Sequence, residues 1–582
     1  MICLARHALI AAVCLLPVTT VAQTIYPIDR ADVLTGAKFD FKVEFPGAPE
    51  QSAVKVLING RDAADVLGKP ATFAVKEDGL DHSAYWIRDV SVAAAGPMKI
   101  EATAGDKSAT VSWNVYATPA ARKAKNVILF IGDGMSVAHR TAARILSKGL
   151  KEGKYGGDLA IDDMPNMALI STSGTDSVVT DSANSMSAYT TGHKSCTNAL
   201  GVYCARNKST LDHPKVETIG ELVKRRGKMA LGVVTTTEIE DATPAGIVAH
   251  TRRRLDFNEI VGMFYGVQPE VMLGGGTPNF WPKSKEGSKR NDETDYIAKF
   301  KEAGYTHVSN ATELKAAAAS PDTKKLLGLF NNGNLDGALD RRILKKGTVS
   351  RYPDQPDLVD QTKIALQLLA KSETGFMLMV ESGRIDKYTH SMDWERAVFD
   401  TIMLDNAVQA AKDWAGTRND TLIIVVPDHA HPVSIIGTYD DDRPGTSLRD
   451  KLGIYNQSVF TNYPAPDAEG YPSTVDVSRR LAFAYGAYPD HCTNGKPSLA
   501  GENRPTEPNT LKTAMVANEQ TCAAPGAARF TGNLPFMAAS GIHAADDVIL
   551  TAMGPGAELF RGRMDNTAVF RVMATALALG AK

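Results

Sequence analysis

Carboxylate and imidazole side chains collect beside four apolar, strand-like runs of the sequence. Seven residues of this kind stand there: Asp133, Glu381, Asp386, His390, Asp428, His429 and His543. A single aspartate after a strand is usually a helix cap, and a single histidine is usually packed or solvated. Four such groups beside strands of one sheet instead indicate a metal centre. Mixed His and carboxylate ligands without cysteine favour zinc, and an oxygen-only neighbouring site favours magnesium.

Ser182 is the candidate nucleophile. It lies within Thr180–Ser185, and helix-forming residues follow it up to Gly192. A serine at a helix N-terminus lies beside free backbone N–H groups, which bind anions. An ordinary serine N-cap would show the same spacing, so that alternative stays open. The predicted metal ligands favour the nucleophile, because a metal activates a hydroxyl group.

The elements that must position these residues are near-continuous apolar runs that alternate with helical patterns. The runs are Val127–Ile131, Met229–Val234, Val271–Leu273, Phe376–Val380, Leu422–Val426 and Val548–Met553. This alternation predicts an α/β fold, a three-layer sandwich around a mostly parallel sheet that is covered on both faces. Ligands of such sheets bind beyond the carboxyl ends of the strands, where the polar residues stand.

Two other regions have different patterns. Strict alternation in Phe39–Phe45, and again at Val111, Trp113 and Val115, predicts an immunoglobulin-like β-sandwich. We expect an accessory domain over 23–118 and a catalytic domain over 119–582. Within the latter, the α/β alternation is lost in a segment rich in Pro, Gly, Asn and Tyr, which predicts a crown-like insertion over 432–540.

Composition excludes several classes of protein. The chain has 582 residues, enough for two or three domains, with 43% hydrophobic and 22% charged residues. These values exclude wholesale disorder and a collagen-like chain. With 64 Lys and Arg against 66 Asp and Glu, the charge gives no case for nucleic-acid binding, and we predict none.

The first residues are typical of a secretory signal. Arg6 and His7 precede the apolar run Ala8–Val18, and small residues surround a predicted cleavage after Ala22. The run is too short to cross a bilayer, which needs about 20 residues. We therefore expect residues 1–22 to be a signal peptide, and an exported protein, periplasmic or secreted, without a transmembrane segment.

Four cysteines remain after that signal: Cys196, Cys204, Cys492 and Cys522. An even number in an exported chain indicates disulfides. Proximity favours Cys196–Cys204 and Cys492–Cys522 among three pairings. A zinc knuckle is a poor alternative, because no Cys-x-x-Cys occurs.

Several motifs now add up to a family resemblance. They are Glu240-Asp241-Ala242-Thr243-Pro244 continuing to His250 and Arg254, Asp386-Lys387 with His390, and Asp428-His429-Ala430-His431. Together with Ser182, they resemble the alkaline phosphatases of the serine-nucleophile type. The resemblance runs from about Asn126 to Lys582 and does not include the N-terminal β-domain.

The resemblance implies two Zn²⁺ and one Mg²⁺ per chain. Asp386, His390 and His543 match the ligands of one zinc, and Asp133, Asp428 and His429 those of the second. Asp133, Thr243 and Glu381 match the magnesium ligands.

The resemblance also implies roles around the substrate. Ser182 matches the serine that becomes phosphorylated, and Arg254 matches the arginine that grips phosphate, with Asp181 orienting it. Asp241 and Lys387 match positions that hold waters around magnesium and phosphate. His431 follows the ligand pair closely, and we expect it to form a hydrogen bond to the site.

The implied activity is hydrolysis of small phosphate monoesters with broad specificity and an alkaline optimum. A phosphodiesterase of the same superfamily is one alternative. Sulfatases need a Cys or Ser followed by x-Pro-x-Arg, which the residues after Ser182 lack. A non-catalytic phosphate- or surface-binding protein is another alternative, although pure binding has no use for Ser182. The sequence leaves monomer and homodimer both open.

Overall fold

The computed structural model describes residues 23–580. The predicted signal peptide, residues 1–22, lies outside the described residues. Within residues 23–580, every helix is too short or too polar to cross a membrane.

The N-terminal region consists of two sheets around one core. Its elements are β1 Thr24–Tyr26, β2 Asp32–Leu34, β3 Phe39–Pro46, β4 Val54–Ile58, β5 Arg61–Asp62, α1 Ala63–Leu67, β6 Thr72–Ala74, β7 His82–Val90, β8 Gly96–Ala104 and β9 Lys107–Tyr116. One sheet has the order β1-β3-β7-β6 and the other β2-β9-β8-β4-β5. Pairing is antiparallel except between β2 and β9. Alternate residues of β3, among them Phe41, Val43 and Phe45, pack with Trp113 in the shared core.

The chain then enters the α/β region. Its elements are β10 Asn126–Gly132, α2 Val137–Lys148, β11 Leu150–Lys151, β12 Lys154–Tyr155, β13 Asn166–Ser171, α3 Ser182–Thr191, α4 Ile219–Leu222, β14 Ala230–Glu238, α5 Ala242–Ala245, α6 Phe257–Val267, β15 Val271–Gly275, α7 Tyr296–Glu302, β16 Tyr305–Val308, α8 Ala311–Ala319, β17 Lys325–Leu329, α9 Leu358–Leu369, β18 Phe376–Ser382, α10 Arg384–His390, α11 Trp394–Ala415 and β19 Thr421–Val426.

The insertion and the C-terminal elements follow. They are β20 Val433–Asp440, α12 Leu448–Lys451, β21 Leu452–Gly453, β22 Arg479–Tyr485, β23 His491–Thr493, β24 Thr506–Pro508, β25 Met515–Ala517, α13 Glu519–Cys522, β26 Ala528–Phe530, β27 Val548–Met553, β28 Gly562–Asp565 and α14 Thr567–Ala576. Strands β20 to β26 form only small antiparallel sheets, in line with the predicted loss of α/β alternation.

The central sheet has ten strands in the order β16-β17-β15-β14-β18-β10-β19-β27-β13-β28. Its neighbours pair in parallel except where β27 meets β19 and β13. All six predicted runs are strands of this sheet. The α/β prediction with a mostly parallel sheet is confirmed.

Strand β10 shows why the sheet needs helices on both faces. Val127, Leu129 and Ile131 pack into one apolar core, and Ile128 and Phe130 pack into another. Each of these side chains is fully buried. Successive residues of a strand point to opposite faces, so a continuous apolar run buries both.

The register places the chemistry at one edge. Strand β10 pairs in parallel with β18 on one side and β19 on the other. Asp133 follows β10, Glu381 lies near the end of β18, and Asp428 follows β19. Three carboxylates therefore meet beyond the carboxyl ends of three adjacent strands.

Two disulfides are present, Cys196–Cys204 and Cys492–Cys522. They close loops with sequence separations of 8 and 30 residues. By the chain-entropy relation, loops of these lengths contribute about 2.5 and about 3.6 kcal/mol to stability.

Peptide mapping without reduction should recover both pairs. The Cys492→Ser/Cys522→Ser double variant should lose more unfolding free energy than the Cys196→Ser/Cys204→Ser double variant, because its loop is longer. Denaturant titration of the two variants measures the difference. Free thiols in the protein purified without reductant, or the crossed pairing, would contradict the assignment.

Candidate active site

Ser182 is the first residue of helix α3, and its cap is the residue before it. Asp181 is the N-cap, and its Oδ1 accepts a hydrogen bond from the Asn184 N–H at 3.1 Å. The Asn184 side chain accepts one from the Asp181 N–H at 2.9 Å, which completes a capping box. The alternative in which Ser182 is the cap is therefore wrong. The Ser182 hydroxyl therefore does not cap the helix, and its Oγ lies 3.3 Å from His429 Nε2.

One cluster of metal-type ligands lies directly beside this hydroxyl. Ligand atoms of Asp133, Asp428 and His429 lie within 4.8 Å of one another, and all three residues are buried. His429 Nε2 is 3.2 Å from Asp133 Oδ1 and 3.5 Å from Asp428 Oδ2. Backbone N–H groups of Gly134 and His429 both donate to Asp428 Oδ1 at 3.0 Å. These bonds hold the carboxylate so that Oδ2 faces the cluster.

A second cluster surrounds Asp386 at the start of helix α10. Its Oδ1 lies 3.2 Å from His390 Nε2, 3.4 Å from His543 Nε2 and 2.7 Å from His431 Nε2. His390 stands four residues after Asp386 and shares its helix face. The predicted contact of His431 with the site is present.

Backbone carbonyls orient the three imidazoles of this cluster. The Nδ1 atoms of His390, His543 and His431 lie 2.6, 2.8 and 3.0 Å from the carbonyl oxygens of Gly541, Thr180 and Ile542. A carbonyl oxygen only accepts, so each Nδ1 carries the proton and donates. Each Nε2 then faces Asp386 Oδ1 and is the ring atom placed to bind a metal.

Close packing explains the glycine after Asp133. Gly134 has φ of 63°, and a Cβ built there would lie 2.8 Å from the His431 ring. A side chain would be strained by the backbone conformation and would push the ring away.

A third group, with oxygen ligands only, joins Asp133. Glu381 Oε2 accepts hydrogen bonds from the hydroxyls of Thr235 and Thr237 on strand β14. The buried Thr243 Oγ1 makes no hydrogen bond within residues 23–580. Oxygen-only surroundings suit magnesium.

The donor atoms of all three groups fit cations. Among the described residues, Asp133 Oδ1 and Asp428 Oδ2 are also buried without a hydrogen-bond partner. Burial, aided by the Asp428 and Asp386 charges, raises the pKa of Asp133 well above its usual range. Burial likewise raises the pKa of Asp428 to about 6 and that of Glu381 to about 7. Buried oxygens without hydrogen-bond partners and closely spaced carboxylates are typical of a site that binds cations.

Arg254 contacts Asp181, the residue before Ser182, and is held by two carboxylates. Its Nη1 donates to Asp181 Oδ2 at 3.3 Å and its Nη2 to Asp241 Oδ1 at 2.8 Å. Lys387 Nζ lies 3.0 Å from Asp241 Oδ2. Although burial alone would raise it, Lys387 and Arg254 hold the pKa of Asp241 below its usual range. A planar guanidinium held in this way can offer two N–H groups to a phosphate.

The structure thus brings the predicted histidines and aspartates together beside Ser182, and it links Arg254, Asp181, Asp241 and Lys387 in one group. Sequence reasoning missed the groups that support them: Thr235, Thr237, Asn184, and the carbonyls of Thr180 and Gly541. The residue type does not indicate which backbone carbonyl accepts a hydrogen bond. The two threonines alone had a signal, since they stand at the end of the predicted run Met229–Val234.

Comparison with known proteins decides the family. The model of the alkaline phosphatase family matches residues 124–579. The chain belongs to the alkaline phosphatase family. It is 33% identical to the alkaline phosphatase of Escherichia coli (strain K12) over 421 residues, 66% of this chain and 85% of that protein. It is 30% identical to the tissue-nonspecific isozyme of Rattus norvegicus over 498 residues, 79% of this chain and 84% of that protein.

A solved structure shows the same likeness. The alkaline phosphatase of Thermus thermophilus superposes with a TM-score of 0.56 at 25% identity, covering 80% of this chain and 93% of that one. Membership makes this chain an enzyme, a phosphatase, and the family resemblance of the sequence is confirmed. The match begins at residue 124, so the N-terminal sheets lie outside it.

Removing divalent cations should destabilise this phosphatase, because the buried carboxylates of Asp133, Asp428 and Glu381 would then repel one another. Chelation should lower the melting temperature by about 5–10 °C, and readdition of Zn²⁺ and Mg²⁺ should restore it. Differential scanning calorimetry measures the shift. In an Asp428→Asn control one charge is gone, and the chelator should have a smaller effect. An unchanged melting temperature after complete chelation would contradict the metal centre.

Proposed function

We propose that this phosphatase hydrolyses phosphate monoesters to an alcohol and inorganic phosphate through a phosphoserine at Ser182. The observation that carries the proposal is the place of the Ser182 hydroxyl. It stands at the N-terminus of helix α3, 3.3 Å from His429 Nε2, and the preceding residue, Asp181, holds the Arg254 guanidinium. The broad specificity and alkaline optimum expected from the sequence belong to the same proposal.

We assign three cations to the three groups of donor atoms. Asp386, His390 and His543 would hold one zinc, and Asp133, Asp428 and His429 would hold the second. Asp133, Thr243 and Glu381 would hold magnesium. When bound, zinc lowers the pKa of a coordinated hydroxyl and stabilises negative charge on phosphate oxygens. His429 suits this role, because burial, with the neighbouring His543, keeps its pKa well below the usual range and the ring neutral.

The chain's own residues account for binding and orientation. Arg254 binds two phosphate oxygens, and Asp181 and Asp241 hold its guanidinium plane. The free N–H groups at the start of helix α3 add a positive end dipole. Lys387 neutralises Asp241 beside the phosphate position.

The reaction then has two displacements. The Ser182 oxygen bonds to phosphorus while the ester P–O bond breaks, and the alcohol leaves with a proton. Water next attacks phosphorus and breaks the serine P–O bond, which releases inorganic phosphate and returns the Ser182 hydroxyl. The two chemical steps use one phosphate position, fixed throughout by Arg254.

The alcohol part of the ester has room beside the site. A cavity of about 1470 Å³ lies between α10, α11 and the insertion, and His390 is one of its lining residues. Its other walls include Trp394, Tyr488, Phe530 and Ser540. A cavity of this size does not select one small alcohol by shape, which supports broad specificity.

Compartment and architecture complete the proposal. Two disulfides suit an oxidising compartment, so we propose export to the periplasm or the medium. We retain the proposed domains, an accessory β-domain over 23–118 and a catalytic domain over 119–582 with a crown over 432–540.

Replacing the nucleophile separates catalysis from binding. Ser182→Ala should lower turnover of an aryl phosphate by about three orders of magnitude or more, while folding and metal content stay unchanged. Ser147→Ala is the matched control, because Ser147 Oγ is also buried and makes no hydrogen bond within the described residues. It should keep wild-type turnover.

A phosphodiester of the same aryl alcohol should react far more slowly than the monoester, since Arg254 grips a dianion. Near-normal turnover by Ser182→Ala would rule out the phosphoserine. Faster cleavage of the diester would favour the phosphodiesterase alternative instead.

Removing one ligand tests the two-zinc assignment. His543→Ala should lower zinc content from two ions to one per chain and reduce kcat by at least about 100-fold. Elemental analysis and steady-state kinetics measure the two effects. His307→Ala is the control, because His307 lies on β16, the edge strand of the central sheet, away from the site. One zinc per chain in the saturated wild-type protein would contradict the assignment.

A further inference from the structure

Residues 196–217 connect the N-terminal sheets to the catalytic site, and we call them the bridging segment. Two isolated antiparallel bridges tie it on both sides, Phe39 to Val216 and Leu200 to Thr251, and a third, Val202 to Lys215, joins its own two ends. Phe39 belongs to strand β3 of the N-terminal region, and Thr251 stands three residues before Arg254. The segment is therefore one continuous backbone contact between an N-terminal strand and the loop that carries Arg254.

A buried ammonium group binds the N-terminal side of this segment. Lys42 on strand β3 is fully buried, and its Nζ donates to Glu44 Oε1 at 2.7 Å and to Asn207 Oδ1 at 2.8 Å. Glu77 Oε2 lies 2.8 Å from the same Nζ. A buried ammonium has three donors and is costly unless each has an acceptor. Asn207, in the bridging segment, supplies the third.

This cluster is an ion-pair network. Glu44, Glu77 and His82 have ligand atoms within 4.8 Å of one another, a spacing that a metal could use. The Lys42 ammonium already stands against both carboxylates and offsets part of their charge. The cluster therefore serves to join the N-terminal sheets to the bridging segment.

Further hydrogen bonds fix the same contact. The Tyr26 hydroxyl donates to the Cys204 carbonyl at 3.1 Å, and the Arg206 N–H donates to Glu44 Oε1 at 2.8 Å. The Asp40 N–H donates to the Lys215 carbonyl at 2.8 Å. The disulfide from Cys204 to Cys196 carries this attachment to the start of the segment.

The other side of the segment holds the phosphate-binding residues. The Asn198 N–H donates to Asp181 Oδ2 at 3.2 Å, and the Asn198 carbonyl accepts from the Arg254 N–H at 2.8 Å. Ser187 of helix α3 donates from its hydroxyl to the Ala199 carbonyl at 2.9 Å. One residue of the bridging segment, Asn198, thus contacts both Arg254 and the carboxylate that orients it.

We propose that the N-terminal β-domain positions the phosphate-binding arginine through the bridging segment, with Asn207 as a positioning residue. The inference rests on the proposed function, in which Arg254 grips phosphate. If the Lys42–Asn207 contact is lost, the bridging segment shifts and the hydrogen bond from the Arg254 N–H to the Asn198 carbonyl weakens, so that Arg254 is no longer held in place. Phosphate binding weakens in substrate and product alike, whereas the Ser182 hydroxyl and the metal ligands keep their places.

The test uses the full-length, metal-loaded protein and inorganic phosphate as the probe. Asn207→Ala should raise the dissociation constant of phosphate and the KM of an aryl phosphate by about 3- to 10-fold, with kcat within about twofold. Asn207→Asp keeps an acceptor for Lys42 and should restore both values. Asn114→Ala is the control, since the Asn114 amide donates to Asp32 within the N-terminal region, and it should match wild type.

A second background shows whether the effect acts through Arg254. In an Arg254→Ala protein, adding Asn207→Ala should cause no further loss of phosphate affinity, although a general destabilisation would. If Asn207→Ala proves unstable, Tyr26→Phe removes a single hydroxyl and should weaken phosphate binding in the same direction. Calorimetry and metal analysis accompany each variant.

Unchanged phosphate affinity in folded, metal-loaded Asn207→Ala and Tyr26→Phe would overturn the inference while leaving the proposed function intact. An equal loss in the Arg254→Ala background would overturn it too. Wild-type phosphate affinity in Arg254→Ala itself would reject the role of Arg254 in the proposed function, and the inference with it.

Discussion

Electrostatic repulsion among buried carboxylates governs this molecule. Strands β10, β18 and β19 are adjacent and parallel, so the buried residues Asp133, Glu381 and Asp428 arrive at one edge. Burying such charges is unfavourable unless positive charge compensates them. The fold creates this problem through its strand order, and the cations that we propose would solve it. The surrounding residues hold the candidate ligand atoms close together.

The histidines show how the fold prepares the ligand atoms. Three backbone carbonyls accept from the Nδ1 atoms of His390, His431 and His543, so the Nε2 atoms all face Asp386. Two of those carbonyls, Gly541 and Ile542, belong to the same short stretch as His543. A single piece of chain thus contributes one ligand and orients two neighbouring rings. Because one stretch does both, the orientation of these rings is sensitive to movement of its backbone.

Sequence reasoning predicted the features that depend on side-chain type and on the apolar pattern of the strands. The runs before Asp133, Glu381 and Asp428 are apolar on both faces, which indicated a covered parallel sheet and hence the edge where ligands gather. Asp181 was expected only to orient Arg254, and its role as the cap of helix α3 was missed because Ser182 has the same preference for that position. Contacts such as Asn198 to Arg254 could not be predicted, since they join backbone atoms across 56 residues. The contact of the N-terminal region with the bridging segment could not be predicted either, because the residue type of Asn207 does not indicate that it binds Lys42.

The Asp181 carboxylate has a consequence for how the site tolerates motion. Its Oδ1 caps the helix that begins with Ser182, and its Oδ2 accepts from both Arg254 and Asn198. The positions of the Ser182 hydroxyl and the Arg254 guanidinium therefore both depend on this one carboxylate. A displacement of Asp181 would therefore disturb both the start of helix α3 and the Arg254 guanidinium.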